Sequence, residues 1–375
     1  MLKITLVPAS ISMRSIIISL TLLFLFACQD RSKSNAGSTS EIRDTTAVGE
    51  KSFLDLGGER QYVEITGVSR ANPVLLFLHG GPGWPQTPQL RYFNSGLTKS
   101  MTLVAWEQSG CGKSYMNNPN PRNLSLDQIV KDAHELTQIL KRKFKKDKIY
   151  LAGFSWGSII GLKLAEEYPE DYFAYFGISQ VIDLNRSINL SRQWIKEQAE
   201  LKKDNGSLRI LAQIEKGDTI ICNRPLDCFL KQFEILSKYG GAIYKKESEA
   251  EIEKAETEYG DYKNYDWSEA FKYSAHRLEK DMFTTDLSSI KEIKIPVYFF
   301  LGRHDWNLPT ALTEEYFRTL SSPKKEIVWF NDAWADYRIG GGVDENENTS
   351  SFSQDELDLY RNLTNTPYFL SKITR

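Results

Sequence analysis

"KIYLAGFSWGSIIGLKLAEEYPE", Lys148 to Glu170, decides how the rest of the chain is read. Lys148–Phe154 is a short, nearly continuous apolar run and Ser158–Glu170 reads as helix, so a buried strand turns directly into a helix. At the turn stands Gly153-Phe154-Ser155-Trp156-Gly157, which fits G-x-S-x-G. A nucleophilic hydroxyl has to stand proud of the sheet on a sharp turn, and glycines on either side of Ser155 remove the side chains that would collide there. Ser155 also begins a helix, whose end N–H groups favour the negative charge that develops when a hydroxyl attacks a carbonyl. Ser155 is therefore the candidate nucleophile.

Working outward, the same kind of apolar run recurs at Pro73–Leu78, Thr102–Trp106, Pro296–Leu301 and Glu326–Phe330. Strands apolar at successive positions are buried on both faces, which means a parallel sheet covered by helices. Phe53–Thr66 predicts a hairpin around Gly57-Gly58, and Ser125–Phe144 predicts a Ser-capped amphipathic helix. Between Gln180 and about Ile290 the strand pattern gives way to charged, amphipathic helical sequence. The expected architecture is α/β: a mostly parallel, doubly wound sheet built from residues 51–179 and 291–375, with a helical lid inserted over 180–290. The acidic run Glu247–Glu258 reads as a solvated helix face with internal Lys pairs.

Two further motifs fall in the order the chemistry needs. "HGGPG", His79–Gly83, follows the first apolar run, where a loop donates a second oxyanion N–H; the expected donors are Gly81 and Trp156. His79 is read as a structural hydrogen-bonder in that loop. "GRHDWNLP", Gly302–Pro309, follows a late strand, where a serine-then-acid-then-histidine order puts its carboxylate, so Asp305 is the candidate acid.

Taken together, "HGGPG", "WEQSGCGKS" (Trp106–Ser114) and "GFSWGS" resemble the prolyl aminopeptidase (proline iminopeptidase) family of α/β-hydrolases over about Lys51 to Phe330. The sequence departs from that family's pattern at Glu107 and Ser109, where Asp and Arg are usual. The resemblance implies an α/β-hydrolase fold, a helical lid, a Ser-Asp-His triad and removal of an N-terminal residue, often proline, from short peptides. It also implies lid carboxylates that hold the peptide's ammonium group, for which Glu269 in "YDWSEAF" is the candidate. No metal or other cofactor is required. A small ester is the alternative substrate on the same scaffold, while serine at the elbow excludes the chemistries that place Asp there.

The resemblance also implies a histidine shortly after the last strand, and here "WFNDAW" puts Trp334 at that place. Indole has no basic lone pair and cannot take the serine proton. All 4 histidines, His79, His134, His276 and His304, precede Asp305. Three readings stay open: a relocated base, with His304 and His276 as candidates; a non-catalytic binding protein of the cell envelope; or a shifted reading frame near Phe330.

The N-terminus carries Lys3 and Arg14, the apolar run Ile16–Ala27, and Cys28 directly after "LFA". This reads as a signal peptide over 1–28 resembling those of bacterial lipoproteins, with Cys28 lipidated and residues 29–50 a polar tether. The chain is then held to a membrane of the bacterial cell envelope, where Cys222 and Cys228 are free to pair. Cys111 reads as a small packed residue. With a formal net charge of -2 there is no basic field for nucleic acid. Metabolic labelling with palmitate is expected to mark the chain and to be lost in Cys28→Ser; label retained in the variant overturns the lipoprotein reading.

Overall fold

The computed structural model describes residues 47–243 and 246–330. Cys28, the signal segment, most of the tether, Trp334 and the tail after Phe330 lie outside the described residues.

The chain opens with β1 (Val48–Leu56) and β2 (Glu59–Gly67), an antiparallel hairpin around the Gly57-Gly58 turn. β1 starts at Val48, inside the stretch expected as tether, because Val48 and Gly49 still pair with Gly67 and Thr66. Next come β3 (Val74–Leu78), α1 (Thr87–Phe93), β4 (Thr102–Glu107), α2 (Gly112–Asn117) and α3 (Leu126–Phe144). The serine motif joins β5 (Ile149–Phe154) to α4 (Trp156–Glu167), and β6 (Tyr172–Ile178) completes this half. The insertion holds α5 (Leu184–Leu201), α6 (Asn205–Glu215), α7 (Pro225–Lys238), α8 (Lys246–Glu258), α9 (Trp267–Arg277) and α10 (Glu279–Thr284). β7 (Val297–Gly302), α11 (Thr310–Thr319) and β8 (Lys325–Phe330) follow.

The strands form one sheet in the order β1-β2-β4-β3-β5-β6-β7-β8, antiparallel through β2–β4 and parallel from β4 onward. This is the mostly parallel, helix-covered sheet the apolar runs imply, with the α/β-hydrolase architecture the family resemblance implies: β3, β4, β5 and β7 are buried at every position because helices cover both faces. α3 is capped as expected, the Ser125 hydroxyl accepting from the Gln128 N–H at 3.3 Å, and Lys145 ends it in the left-handed conformation.

Buried carboxylates fasten the insertion to the sheet. Glu107 at the end of β4 is fully buried; it accepts from the Tyr262 hydroxyl of the insertion and from the Lys113 N–H at 2.5 Å. Arg91 on α1 joins Glu64 of β2 to Asp261 of the insertion, the latter at 3.0 Å. The acidic run on α8 is not simply a solvated face. Glu256 is half-buried and accepts from Trp84 Nε1 at 2.9 Å and Gln89 Nε2 at 2.8 Å, and Glu251 accepts from the Tyr92 hydroxyl at 3.0 Å. The helix uses those acids to dock on α1 and the loop before it.

Cys222 and Cys228 are bonded, with Cα atoms 5.1 Å apart, and Cys111 is buried and free. The bridge closes a loop of sequence separation 6 across the start of α7. Chain entropy makes such a loop worth about 2 kcal/mol. Urea unfolding of Cys222→Ser/Cys228→Ser is expected to report a loss near about 2 kcal/mol; an unchanged midpoint contradicts this role.

Candidate active site

Gly157 is the reason the serine turn and the HGGPG loop meet. A Cβ there would lie 2.1 Å from the Leu78 carbonyl oxygen and 2.6 Å from that of His79, while one at Gly153 would lie 2.4 Å from the Gly157 carbonyl oxygen. Only glycine lets α4 run this close to the end of β3. Ser155 between them adopts φ 49, ψ −116, a conformation disfavoured for any side-chain-bearing residue. Such a conformation costs on the order of 1–3 kcal/mol and is held by its surroundings. The holding bonds are the Ser155 N–H to the Ile178 carbonyl at 3.0 Å and the Ser158 hydroxyl to the Ser155 carbonyl at 2.5 Å.

Ser155, Gly81 and Trp156 line one cavity with about 430 Å³ of empty space. The rest of its wall is Ile159, Val181, Leu184, Phe229, Met282, Asn307 and Leu308. The sheet domain thus supplies the serine and two loops, and α7 and α10 of the insertion supply Phe229 and Met282. In the HGGPG loop the Gly80 N–H donates to Gln86 Oε1 at 2.6 Å, and Gly81 is the residue of that loop facing the cavity.

Gln108, in the "WEQSGCGKS" stretch, joins these loops and was not singled out by its residue type. Its N–H donates to His79 Nε2 at 3.0 Å, and its Oε1 accepts from Trp156 Nε1 at 3.1 Å. His79 Nδ1 in turn donates to the Gly80 carbonyl at 2.8 Å, so both ring nitrogens are engaged in the neutral form. Burial pushes His79 down to about 4. It is a brace between loops.

Asp305 is buried behind the cavity wall, on the turn after β7. Its Oδ1 accepts from the Leu308 N–H at 2.8 Å, and its neighbours Asn307 and Leu308 line the cavity. Burial pushes its carboxyl up to about 7, against the opposing pull of the Leu308 N–H, the Ser179 hydroxyl and the Asn307 N–H. The turn is docked on the insertion: Trp306 stacks on Trp194 of α5 at 5.1 Å between centroids and 10° between planes, and its N–H donates to the Gly241 carbonyl at 3.1 Å.

None of the histidines lines this cavity among the described residues. His134 is stacked on Tyr168 at 3.7 Å and lies 3.4 Å from Asp171. His304 is half-buried beside Asp305, and His276 is half-buried on α9. Glu269 is exposed in the first turn of α9, accepts from the Tyr115 hydroxyl at 3.3 Å, and does not line the cavity. The candidate amine-binding acid and the candidate nucleophile are therefore not brought together. Among the described residues no cluster of His, Cys, Asp or Glu is arranged to hold a metal ion.

A strained serine at a strand-to-helix turn, lining one pocket with Gly81 and Trp156, is the arrangement of the α/β hydrolases. Residues 73–331 match the family model described as alpha/beta hydrolase fold, and the chain belongs to that family. It is 31% identical over 281 residues to the "Probable aminopeptidase YbaC" of Bacillus subtilis (strain 168), covering 74% of this chain and 87% of that one. It is 24% identical over 291 residues to a proline iminopeptidase of Heyndrickxia coagulans, covering 76% and 92%. The crystal structure of a Mycobacterium smegmatis proline iminopeptidase superposes with a TM-score of 0.55 at 14% identity, over 76% of this chain and 91% of that one, a likeness of fold.

The Asp305 carboxyl gives a pH signature with a definite sign. Its folded pKa lies above the ordinary value, so its stabilising effect is complete at low pH, below the ordinary carboxylate range, and is lost as pH rises through about 7. At about 1.4 kcal/mol per pH unit, the loss by pH 8 is on the order of 4 kcal/mol. Asp305→Asn is expected to unfold at higher urea than the wild type at pH 8 and to lose that advantage at pH 4; equal midpoints at both pH values contradict the assignment.

Proposed function

We propose that the chain is a serine hydrolase acting on a short peptide or a small ester. In this reading the Ser155 hydroxyl attacks the substrate carbonyl, and the N–H groups of Gly81 and Trp156 stabilise the tetrahedral oxyanion. Asp305 orients the base that takes the serine proton. Loss of the leaving group forms an acyl-serine, which water hydrolyses. The observation that carries the reading is Ser155 at φ 49, on the helix N-terminus and facing the cavity beside Gly81. The aminopeptidase and proline iminopeptidase names of the relatives support the peptide form, removal of an N-terminal residue, which requires a group to hold the substrate's ammonium.

A second reading, an envelope binding protein that keeps the pocket without turnover, is favoured by one observation: no described histidine lines the cavity. Loss of a triad base costs on the order of 10⁶ in turnover, so the two readings separate cleanly. We further propose that the chain works lipid-anchored in the cell envelope; the Cys222–Cys228 bridge supports an oxidising compartment.

A serine-directed fluorophosphonate is expected to label the wild type and not Ser155→Ala, with turnover of 4-nitrophenyl acetate falling on the order of 10⁶ in the variant. A wild type that neither labels nor turns over substrate removes the enzyme reading in favour of the binding one.

A further inference from the structure

An N-terminal residue brings a positive charge within two bonds of the scissile carbonyl, so a site that receives it must place a carboxylate or a set of acceptors there. The cavity over Ser155 does the opposite. Of its ten lining residues among those described, none is charged, and Ile159, Val181, Leu184, Phe229, Met282 and Leu308 make most of the wall. The polar side chains facing it are those of Ser155 and Asn307.

The carboxylates next to this wall are engaged elsewhere. Asp183, adjacent to Leu184, caps α5 by accepting from the Arg186 N–H at 3.0 Å. Asp281, adjacent to Met282, accepts from the Leu126 N–H at 2.8 Å. Glu279 at the start of α10 accepts from Arg224 and from the Leu226 N–H at 3.0 Å. Asp305 is buried behind Leu308 and holds its N–H. Glu256 of the insertion, half-buried, is tied to Trp84 and Gln89, and the buried Glu107 of β4 is tied to Tyr262. Glu269 is exposed. Among the described residues, an ammonium group entering here would lose its water and gain no counter-charge.

The residues that complete the cavity from the insertion, Val181, Leu184, Phe229 and Met282, are all apolar, and Phe229 and Met282 are held by contacts of their own. Phe229 follows Cys228 of the disulfide and lies 6.3 Å from the Phe283 ring, which sits next to Met282. The Arg224–Glu279 pair clamps the starts of α7 and α10 together. The wall is thus preorganised for hydrocarbon.

We propose that the acyl group received over Ser155 is uncharged and apolar. The substrate is then an ester or amide of a short apolar carboxylic acid, not a peptide presenting a free ammonium group beside the scissile bond. This rests on the Ser155 reading above and narrows its substrate class.

The test is a matched pair: proline 4-nitroanilide, and the 4-nitroanilide of cyclopentanecarboxylic acid, in which a methylene replaces the ring ammonium. Calorimetric binding to Ser155→Ala at pH 7, which needs no catalysis, is expected to favour the cyclopentane compound by about 100-fold, the scale on which an unpaired buried charge is rejected. Equal or tighter binding of the proline compound, or no binding of either, overturns the proposal. Met282→Glu, made in the same background, is expected to bring the preference at least about tenfold toward the proline compound by supplying a counter-charge; an unmoved ratio in a folded variant also overturns it. Failure of this inference leaves fluorophosphonate labelling of Ser155 intact, whereas failure of the serine hydrolase reading abolishes that labelling whichever compound binds.

Discussion

The close approach of α4 to the end of β3 is the constraint on which the candidate site depends. With the Gly157 backbone against the Leu78 and His79 carbonyls, the helix N-terminus and the HGGPG loop are forced together. That single packing distance puts Ser155, Gly81 and Trp156 on one cavity. At the same junction Gln108 links His79 to the Trp156 indole. His79 is then held neutral by geometry as well as burial, since Nε2 already accepts a backbone N–H and Nδ1 already donates. A side chain at Gly157 would separate these loops.

The other half of the site depends on the insertion being fixed to the sheet. Asp305 lies on a turn that packs outward against α5 through Trp306 and Trp194, so the acid's position is set partly by helices that precede it in the chain. A later part of the insertion, α8 and the turn after it, is anchored to the sheet by Glu107, Glu256 and the Arg91–Glu64–Asp261 cluster. Breaking a buried pair by removing one partner typically costs about 3–5 kcal/mol, because the remaining charge is left uncompensated. Such contacts resist displacement of that part of the insertion, while the Arg224–Glu279 pair ties α7 to α10, which carry Phe229 and Met282. The insertion is a wall of the cavity and a mount for the Asp305 turn.

The sheet was legible because its strands are apolar at every position, a pattern that only a covered parallel sheet needs, and because G-x-S-x-G sat between strand and helix. The hairpin and the α3 cap followed from turn and cap chemistry. What could not be read were long-range partners. Glu256 lies among acids with lysines at helical spacing, so nothing local distinguishes it from its solvated neighbours; its difference is Trp84 and Gln89, more than 160 residues away. Glu269 has the same local character, and the fold turns it to solvent beside Tyr115. Gln108 had a signal, its place in a stretch that resembles a family motif, but amide side chains carry no spacing rule. The pairing of Cys222 and Cys228 was left open by sequence and is made in the structure.

The balance between catalysis and binding can be argued from where the molecule is locally unstable. A pocket that only binds an apolar group needs shape and dryness, and Ile159, Phe229 and Met282 supply both. It does not need a serine at φ 49, nor a carboxylate at Asp305 whose burial works against folding above neutral pH. Both features are unfavourable where they stand: Ser155 lines the cavity, and Asp305 accepts from the N–H of Leu308, which lines it. Local strain and a carboxyl displaced by burial concentrate where charge has to be moved during a reaction. In the serine hydrolase reading proposed above, they are the features a cavity shaped around a tetrahedral oxyanion would need, and a cavity shaped around a resting ligand would not.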